Sequence, residues 1–180
     1  MTRILLTCGA SVAVYKACDL ASKLTQDGNL VRTVLTPAAA KLISPQLFEA
    51  VTSQSAQSSE FGAERRSAMD HIELAEWAEL LLVAPASADL IARLALGLAD
   101  DLATTVALAY ASARPRLICP AMNPKMLVQP SVQRNLTQLR EDGWHVLDPA
   151  DGHMACGDAG PGRLPEPATI VARVRELAGS

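Results

Sequence analysis

The chain has 180 residues, of which 49% are hydrophobic and 3% aromatic, with a formal net charge of −3. That length and apolar content suffice to bury one core, and the slight acid excess with scattered lysines and arginines excludes a basic surface for nucleic acid. The apolar run that opens the chain is too short for a signal peptide or a membrane span, so a cytoplasmic protein engaging neither membrane nor nucleic acid is expected.

Arg3 to Cys8 reads as a buried strand, Gly9-Ala10-Ser11 as the turn ending it, and Val12, Ala17, Leu20, Ala21 and Leu24 as one face of a helix reaching Gly28. Leu30 to Leu35 is a second strand, and Thr36-Pro37 is expected to open a helix, because proline suits the first helical turn. The polar stretch Thr52 to Arg66 reads as loop. Met69-Asp70-His71-Ile72-Glu73-Leu74 then begins a helix with Asp70 as N-cap and Glu73 three residues on, resembling a capping box, which puts His71 in the first turn. Leu80 to Ala84 is a continuous apolar strand, Pro85-Ala86-Ser87 a turn, and Leu90, Ile91, Leu94 and Ala95 one helical face. Arg116 to Cys119 is a strand ending at Pro120; a helix from Pro130 to Glu141, a strand over His145-Val146-Leu147 and a helix from Pro167 to Ala178 complete the chain. Strands without polar alternation, separated by helices, predict a parallel sheet covered on both faces. The expected fold is one Rossmann-like, doubly wound α/β domain with flavodoxin-like layering across residues 1–180, without internal repeat or linker.

In such a sheet, ligands bind beyond the carboxyl ends of the strands. The turns there are Gly9-Ala10-Ser11, Thr36-Pro37, Pro85-Ala86-Ser87-Ala88-Asp89 and Pro120-Ala121-Met122-Asn123. The helix start after Ser11 is expected to offer amide N–H groups to a phosphate, although small residues at a turn serve tight packing equally well. Neither GxGxxG nor a Walker lysine occurs, so NAD and ATP are not specified. At a helix N-terminus His71 is disfavoured as imidazolium and suits a base or hydrogen-bond partner; a solvent-facing helical histidine would show the same spacing. Asn123, between Pro120 and Pro124, sits on a stiff backbone from which its amide would read a carboxylate, although an ordinary turn asparagine without that role would look the same in sequence. Four cysteines, at positions 8, 18, 119 and 156, have neither CxxC spacing nor a histidine at zinc-ligand distance, so no metal site and no disulfide framework is expected. Cys8, Cys18 and Cys119 lie in apolar segments and read as reduced core residues. Cys156 lies in Ala155-Cys156-Gly157-Asp158-Ala159-Gly160-Pro161-Gly162-Arg163, a glycine-dense loop whose backbone can approach a ligand closely, and is the cysteine expected to perform chemistry.

Four segments in order resemble the flavin-containing cysteine decarboxylases. The His71 segment is similar to the family's His-Ile-Asp/Glu-Leu motif, and Pro85-Ala86-Ser87-Ala88-Asp89 to its Pro-Ala-Ser-Ala-Asn-Thr flavin segment. Pro120-Ala121-Met122-Asn123-Pro124-Lys125-Met126 matches Pro-X-Met-Asn-X-X-Met, and Cys156 falls in an Ala-Cys-Gly-Asp loop. Asp89-Leu90 departs from Asn-Thr, touching flavin contacts, and Leu127 stands where many members carry an aromatic residue, touching the substrate pocket wall.

The resemblance implies FMN, its phosphate near Gly9, Ala10, Ser11 and Thr36, with further contacts from Ser87, Ala88 and Asp89. It implies an N-acylated cysteine as substrate, 4′-phosphopantothenoyl-cysteine, converted to 4′-phosphopantetheine in coenzyme A synthesis. Flavin would oxidise the carbon bearing sulfur, and the thioaldehyde would let the carboxylate leave as CO₂ to give an enethiolate. His71 would assist oxidation and position the substrate. Asn123 would bind the carboxylate, with Met126, Ala155 and Arg163 alongside, and residues 152–166 would form a glycine-rich flap. Cys156, as a protonated thiol, would protonate the enethiolate so that the electrons return. Self-association into trimers, or into trimers assembled as dodecamers, with FMN at a subunit interface is implied, as is a phosphopantothenate-cysteine ligase as partner. Relatives that decarboxylate a C-terminal peptidyl-cysteine stop at the oxidised enethiol and do not need Cys156, which weighs toward the small-molecule substrate. A non-catalytic FMN-binding regulatory protein is the alternative of another class.

Overall fold

The first strand, β1 (Arg3–Cys8), is buried from Ile4 onward, and its successive side chains enter different cores. Ile4, Leu6 and Cys8 enter one apolar cluster and Leu5 the other, as the two-residue period of a strand covered on both faces requires. β4 (Leu80–Ala86) repeats this, with Leu80, Leu82 and Ala84 on one side and Leu81 and Val83 on the other. The computed structural model describes residues 1–61, 66–153 and 159–179.

β2 (Leu30–Leu35), β3 (Ala56–Gln57), β5 (Arg116–Pro120) and β6 (His145–Val146) complete a parallel sheet ordered β3-β2-β1-β4-β5-β6. α1 (Tyr15–Gln26), α2 (Pro45–Thr52) and α8 (Pro167–Ala178) supply one face, through residues such as Leu20, Phe48 and Ile170. α3 (Asp70–Trp77), α4 (Ala88–Leu96), α5 (Leu102–Ala109) and α7 (Pro130–Glu141) supply the other, through Leu74, Ile91, Val106 and Leu136. The chain winds from β1 toward β2 in one direction and, through β4, in the other. The switch point of this doubly wound order therefore lies between β1 and β4, where such sheets open a crevice.

Several expectations change. Thr36-Pro37 opens no α-helix: a 3₁₀ turn at Ala39–Lys41 follows, and α2 starts at Pro45, capped by the Ser44 hydroxyl, which accepts from the Gln46 N–H. Asp70 is the first residue of α3 and not its cap. Its buried carboxylate reaches back instead, accepting from the N–H groups of Arg66 (3.1 Å) and Ser67 (2.7 Å) and from Gln57 Nε2 (3.2 Å). The stretch read as loop contains β3, and α5 was not foreseen. The flap region contains a hairpin, β7 (Ala150–His153) with β8 (Ala159–Arg163). Gly152 in it has φ +146°, and a Cβ there would stand 2.6 Å from Arg163 Nη1, so only glycine lets the Arg163 side chain lie across it. Cys8 and Cys119 are buried free thiols, their burial pushing both far above the ordinary thiol range. Cys18, expected in the core, is only partly buried on α1.

Candidate active site

The crevice is built from turns that follow β1, β2, β4 and β5. Gly9 brings the first of these against the third: its N–H donates to the Pro85 carbonyl at 2.8 Å, and a Cβ would meet Leu90 Cδ2 and Pro85 O at 3.0 Å and Ser87 N at 3.1 Å. Beyond Gly9 the chain makes a 3₁₀ turn at Val12–Val14, and α1 begins only at Tyr15. The amides expected to hold a phosphate here are largely engaged within the fold. Gly9 N–H serves Pro85, Ser11 N–H donates to Gly9 O (2.9 Å), and Ala13 N–H donates to Ser11 Oγ (3.3 Å).

The polar side chains share one device. Ser11 Oγ, Thr36 Oγ1 and Ser87 Oγ each accept from a backbone N–H at the start of a turn or helix, those of Ala13, Ala39 and Leu90 respectively. A hydroxyl that accepts in this way keeps its O–H hydrogen as a donor. Three caps therefore become three donors suited to an anion. Ser87 caps α4, whose first amides, Ala88 and Asp89, belong to the group a helix leaves without intrahelical partners. The Asp89 carboxylate is turned to Arg93, 3.2 Å from Nε, so this position offers its backbone and not its side chain. Burial works against the Arg93 charge, but its bonds to Asp101 and Asp100 prevail and hold its pKa above the ordinary value.

Asn123 caps the short α6 (Pro124–Leu127): its Oδ1 accepts from the Lys125 N–H at 2.8 Å. The oxygen end is thus committed to the turn, and the NH₂ is the amide's donor end, the end that matches a carboxylate. The Met122 N–H donates to Gly162 O at 3.0 Å, tying this turn to β8.

Two adjoining cavities occupy the crevice and share Ala10, Ser87, Ala88 and Met126. One, about 340 Å³, is lined mainly by apolar groups, with Ser11, Asn123, Met126, Gly162 and Arg163 on its walls. The other, about 550 Å³, is lined by Thr36, Pro37, Asp89 and Arg93 among others. An elongated ligand with a flat apolar part and an anionic tail fits this pairing, because the three hydroxyl donors lie on the walls of the two joined cavities. Among the described residues no cluster of His, Cys, Asp and Glu could hold a metal ion.

Of the residues expected from sequence, Ala10, Ser11, Thr36, Ser87, Ala88, Asp89, Asn123, Met126 and Arg163 line one cavity or both, and Gly9 is buried beneath them. His71 lines neither. It lies in the first turn of α3, which leads into the start of β4 and so begins at the carboxyl end of the sheet, beside β3. Its Nδ1 is 2.7 Å from Glu60 Oε2. Ala155 and Cys156 lie outside the described residues. Sequence reasoning missed Lys16, which lines the apolar cavity, its Nζ 2.9 Å from Glu166 Oε1, the same oxygen that Arg163 Nη2 approaches at 3.0 Å. These bonds, Lys16 first, hold the Glu166 carboxyl below its ordinary pKa. The missed signal was a lysine in the first turn of a helix, where the macrodipole disfavours a cation and another reason for it is needed.

The family model described as Flavoprotein matches residues 1–179. The coenzyme A biosynthesis bifunctional protein CoaBC of Bacillus subtilis is 43% identical over 168 residues, 93% of this chain and 41% of that protein. The chain thus spans about two fifths of the length of the curated relatives it matches. Among solved structures, a PPC decarboxylase mutant complexed with pantothenoylaminoethenethiol superposes with a TM-score of 0.86 at 30% identity, covering 99% of both chains. The FMN-dependent cysteine decarboxylase SpaF superposes with a TM-score of 0.81 at 29% identity, covering 99% of this chain and 98% of that one. The chain belongs to the Flavoprotein family, among the flavin-containing cysteine decarboxylases.

Proposed function

We propose that this chain is an FMN-dependent carboxy-lyase that converts 4′-phosphopantothenoyl-cysteine to 4′-phosphopantetheine, a step of coenzyme A synthesis. The observation carrying this reading is the convergence of Ser11, Ser87, Asn123, Met126 and Arg163 on one largely apolar cavity at the sheet's switch point. The likeness to a coenzyme A biosynthesis protein and to a PPC decarboxylase supports the choice of substrate.

FMN fits the joined cavities: Ser11, Thr36 and Ser87 would hold its phosphate through their O–H groups, helped by the Ala88 and Asp89 amides. When bound, it supplies reversible two-electron oxidation at the carbon bearing sulfur, which makes that carbon the electron sink that decarboxylation needs. His71 takes the proton lost from the substrate thiol. Asn123 orients the substrate carboxylate through its NH₂, and apolar walls that include Met122 and Met126 favour neutral CO₂ over the anion it replaces. Arg163 closes the rim of this cavity. Cys156 would return a proton to the enethiolate carbon, leaving a thioaldehyde that can take back the two electrons the bound cofactor would hold, and only with that return is the overall reaction redox-neutral.

Self-association as trimers, or as trimers assembled into dodecamers, brings His71 of one subunit to the crevice of another. Two observations support this: His71 lines neither cavity of its own chain, and large apolar side chains, among them Val12, Tyr15, Leu42 and Leu47, are exposed. The protein acts in the cytoplasm, alongside a ligase that forms the acyl-cysteine. No described helix is long and apolar enough to cross a membrane.

The test compares kcat/KM for phosphopantothenoylcysteine with that for a peptide ending in cysteine. A preference for the former of about a hundredfold or more is expected, the discrimination that a few kcal/mol of specific contacts provides. Turnover of the peptide alone would overturn the reading.

A further inference from the structure

His71 is held at two points. Its backbone opens α3, where the neighbouring Asp70 carboxylate ties the helix start to Arg66, Ser67 and Gln57. Its ring is held separately, Nδ1 lying 2.7 Å from Oε2 of Glu60, across eleven residues of chain. Both side chains are largely withdrawn from water, 26% exposed for His71 and 18% for Glu60. Glu60 sits in a tight turn in which the Phe61 N–H donates to Ser59 Oγ at 3.0 Å.

A carboxylate offers only lone pairs, so at this separation the hydrogen lies on Nδ1. The lone pair of the neutral ring is then on Nε2. Water-exposed histidines in general prefer the opposite tautomer, with the hydrogen on Nε2, which cannot accept a proton at that nitrogen.

We propose that Glu60 is the positioning residue for His71, fixing both the ring plane and the Nδ1–H tautomer so that Nε2 is the nitrogen that takes the substrate's thiol proton. This rests on the proposed role of His71 and extends it to a residue outside the four motifs.

The test uses the FMN-loaded, assembled protein with ¹⁵N-labelled histidine, the His71 signals being identified by their loss in His71→Asn. In the unmodified protein the His71 ring should show a protonated Nδ1 and an unprotonated Nε2. Glu60→Ala should shift the ring toward the Nε2–H tautomer and lower kcat by about 10- to 100-fold with little change in KM, the usual scale for a partner orienting a functional histidine. Glu60→Gln, which keeps an acceptor oxygen but no charge, should restore the tautomer and recover part of kcat. An unchanged ring spectrum and unchanged kcat in Glu60→Ala would overturn the inference. The outcome for the parent reading is separate: full activity in His71→Asn would remove His71 from the chemistry, whereas the ring spectra of the Glu60 variants still decide whether Glu60 sets the tautomer.

Discussion

The Gly9 N–H donates to the Pro85 carbonyl at 2.8 Å, clamping the turn after β1 to the last residues of β4 across the switch point of the sheet. A methyl group at Gly9 would sit at 3.0 Å from Pro85 O and Leu90 Cδ2, and the backbone carbonyl cannot give way as a flexible side chain would. Gly9→Ala should therefore cost about 1–3 kcal/mol by overpacking and weaken FMN retention as the turns separate. Denaturant unfolding and flavin titration check both effects.

The Asn123 Oδ1 caps α6 through the Lys125 N–H, and in the proposed role its NH₂ would meet the substrate carboxylate. Asn123→Asp keeps the cap acceptor and so should leave stability nearly unchanged. It replaces the donor end with an oxygen that repels the substrate carboxylate. Like charges placed together cost several kcal/mol, so kcat/KM should fall on the order of a hundredfold or more. Steady-state kinetics beside a melting curve separate the two effects.

Asp70 gives the acid limb of the stability curve a specific origin. Burial opposes its charge, but bonds from Arg66, Ser67 and Gln57 outweigh burial and hold its pKa below the ordinary Asp value. Because the folded pKa lies below the unfolded one, its contribution is present above about pH 4 and is lost as pH falls through the folded pKa. Asp70→Asn places an NH₂ among groups that donate, and should cost about 1–3 kcal/mol at neutral pH while flattening the loss of stability below pH 4. Unfolding free energies measured between pH 3 and about pH 7 provide the check.

Cys156→Ser tests the order of events. Loss of the thiol acid should leave CO₂ release in place and let the oxidised enethiol accumulate. Unaltered output of 4′-phosphopantetheine, read by mass spectrometry, would contradict the role assigned to Cys156.

What sequence reveals here follows from how strongly each segment commits to one periodicity. Arg3–Cys8 and Leu30–Leu35 are apolar runs bounded by glycine or a threonine-proline pair, and their limits agree with β1 and β2 to the residue. Pro130 and Pro167 mark the first turns of α7 and α8 for the same reason. α5 escaped because Leu102, Ala103, Thr104, Val106 and Ala107 bury it nearly all round, leaving no polar face to reveal a helical period. Its start was nevertheless readable, since Asp101 and Thr104 form a capping box. The β7–β8 hairpin was hidden by glycines such as Gly152 and Gly162, whose positive φ values extend the chain in a way other residues rarely adopt. At the site, side-chain types at turns located Ser11, Ser87 and Asn123. Their division into a capping end and a donor end depends on geometry that residue type does not encode. Glu60 could not be found at all, because nothing local to it signals that His71, eleven residues on, folds back against it.

The most direct test incubates the FMN-loaded protein with 4′-phosphopantothenoyl-cysteine and measures CO₂, product mass and flavin oxidation state together. The account predicts equimolar CO₂ and 4′-phosphopantetheine, with the flavin oxidised at the end of turnover. Absence of CO₂ release from this substrate, or release that ends in the oxidised enethiol with the flavin left reduced, would contradict it.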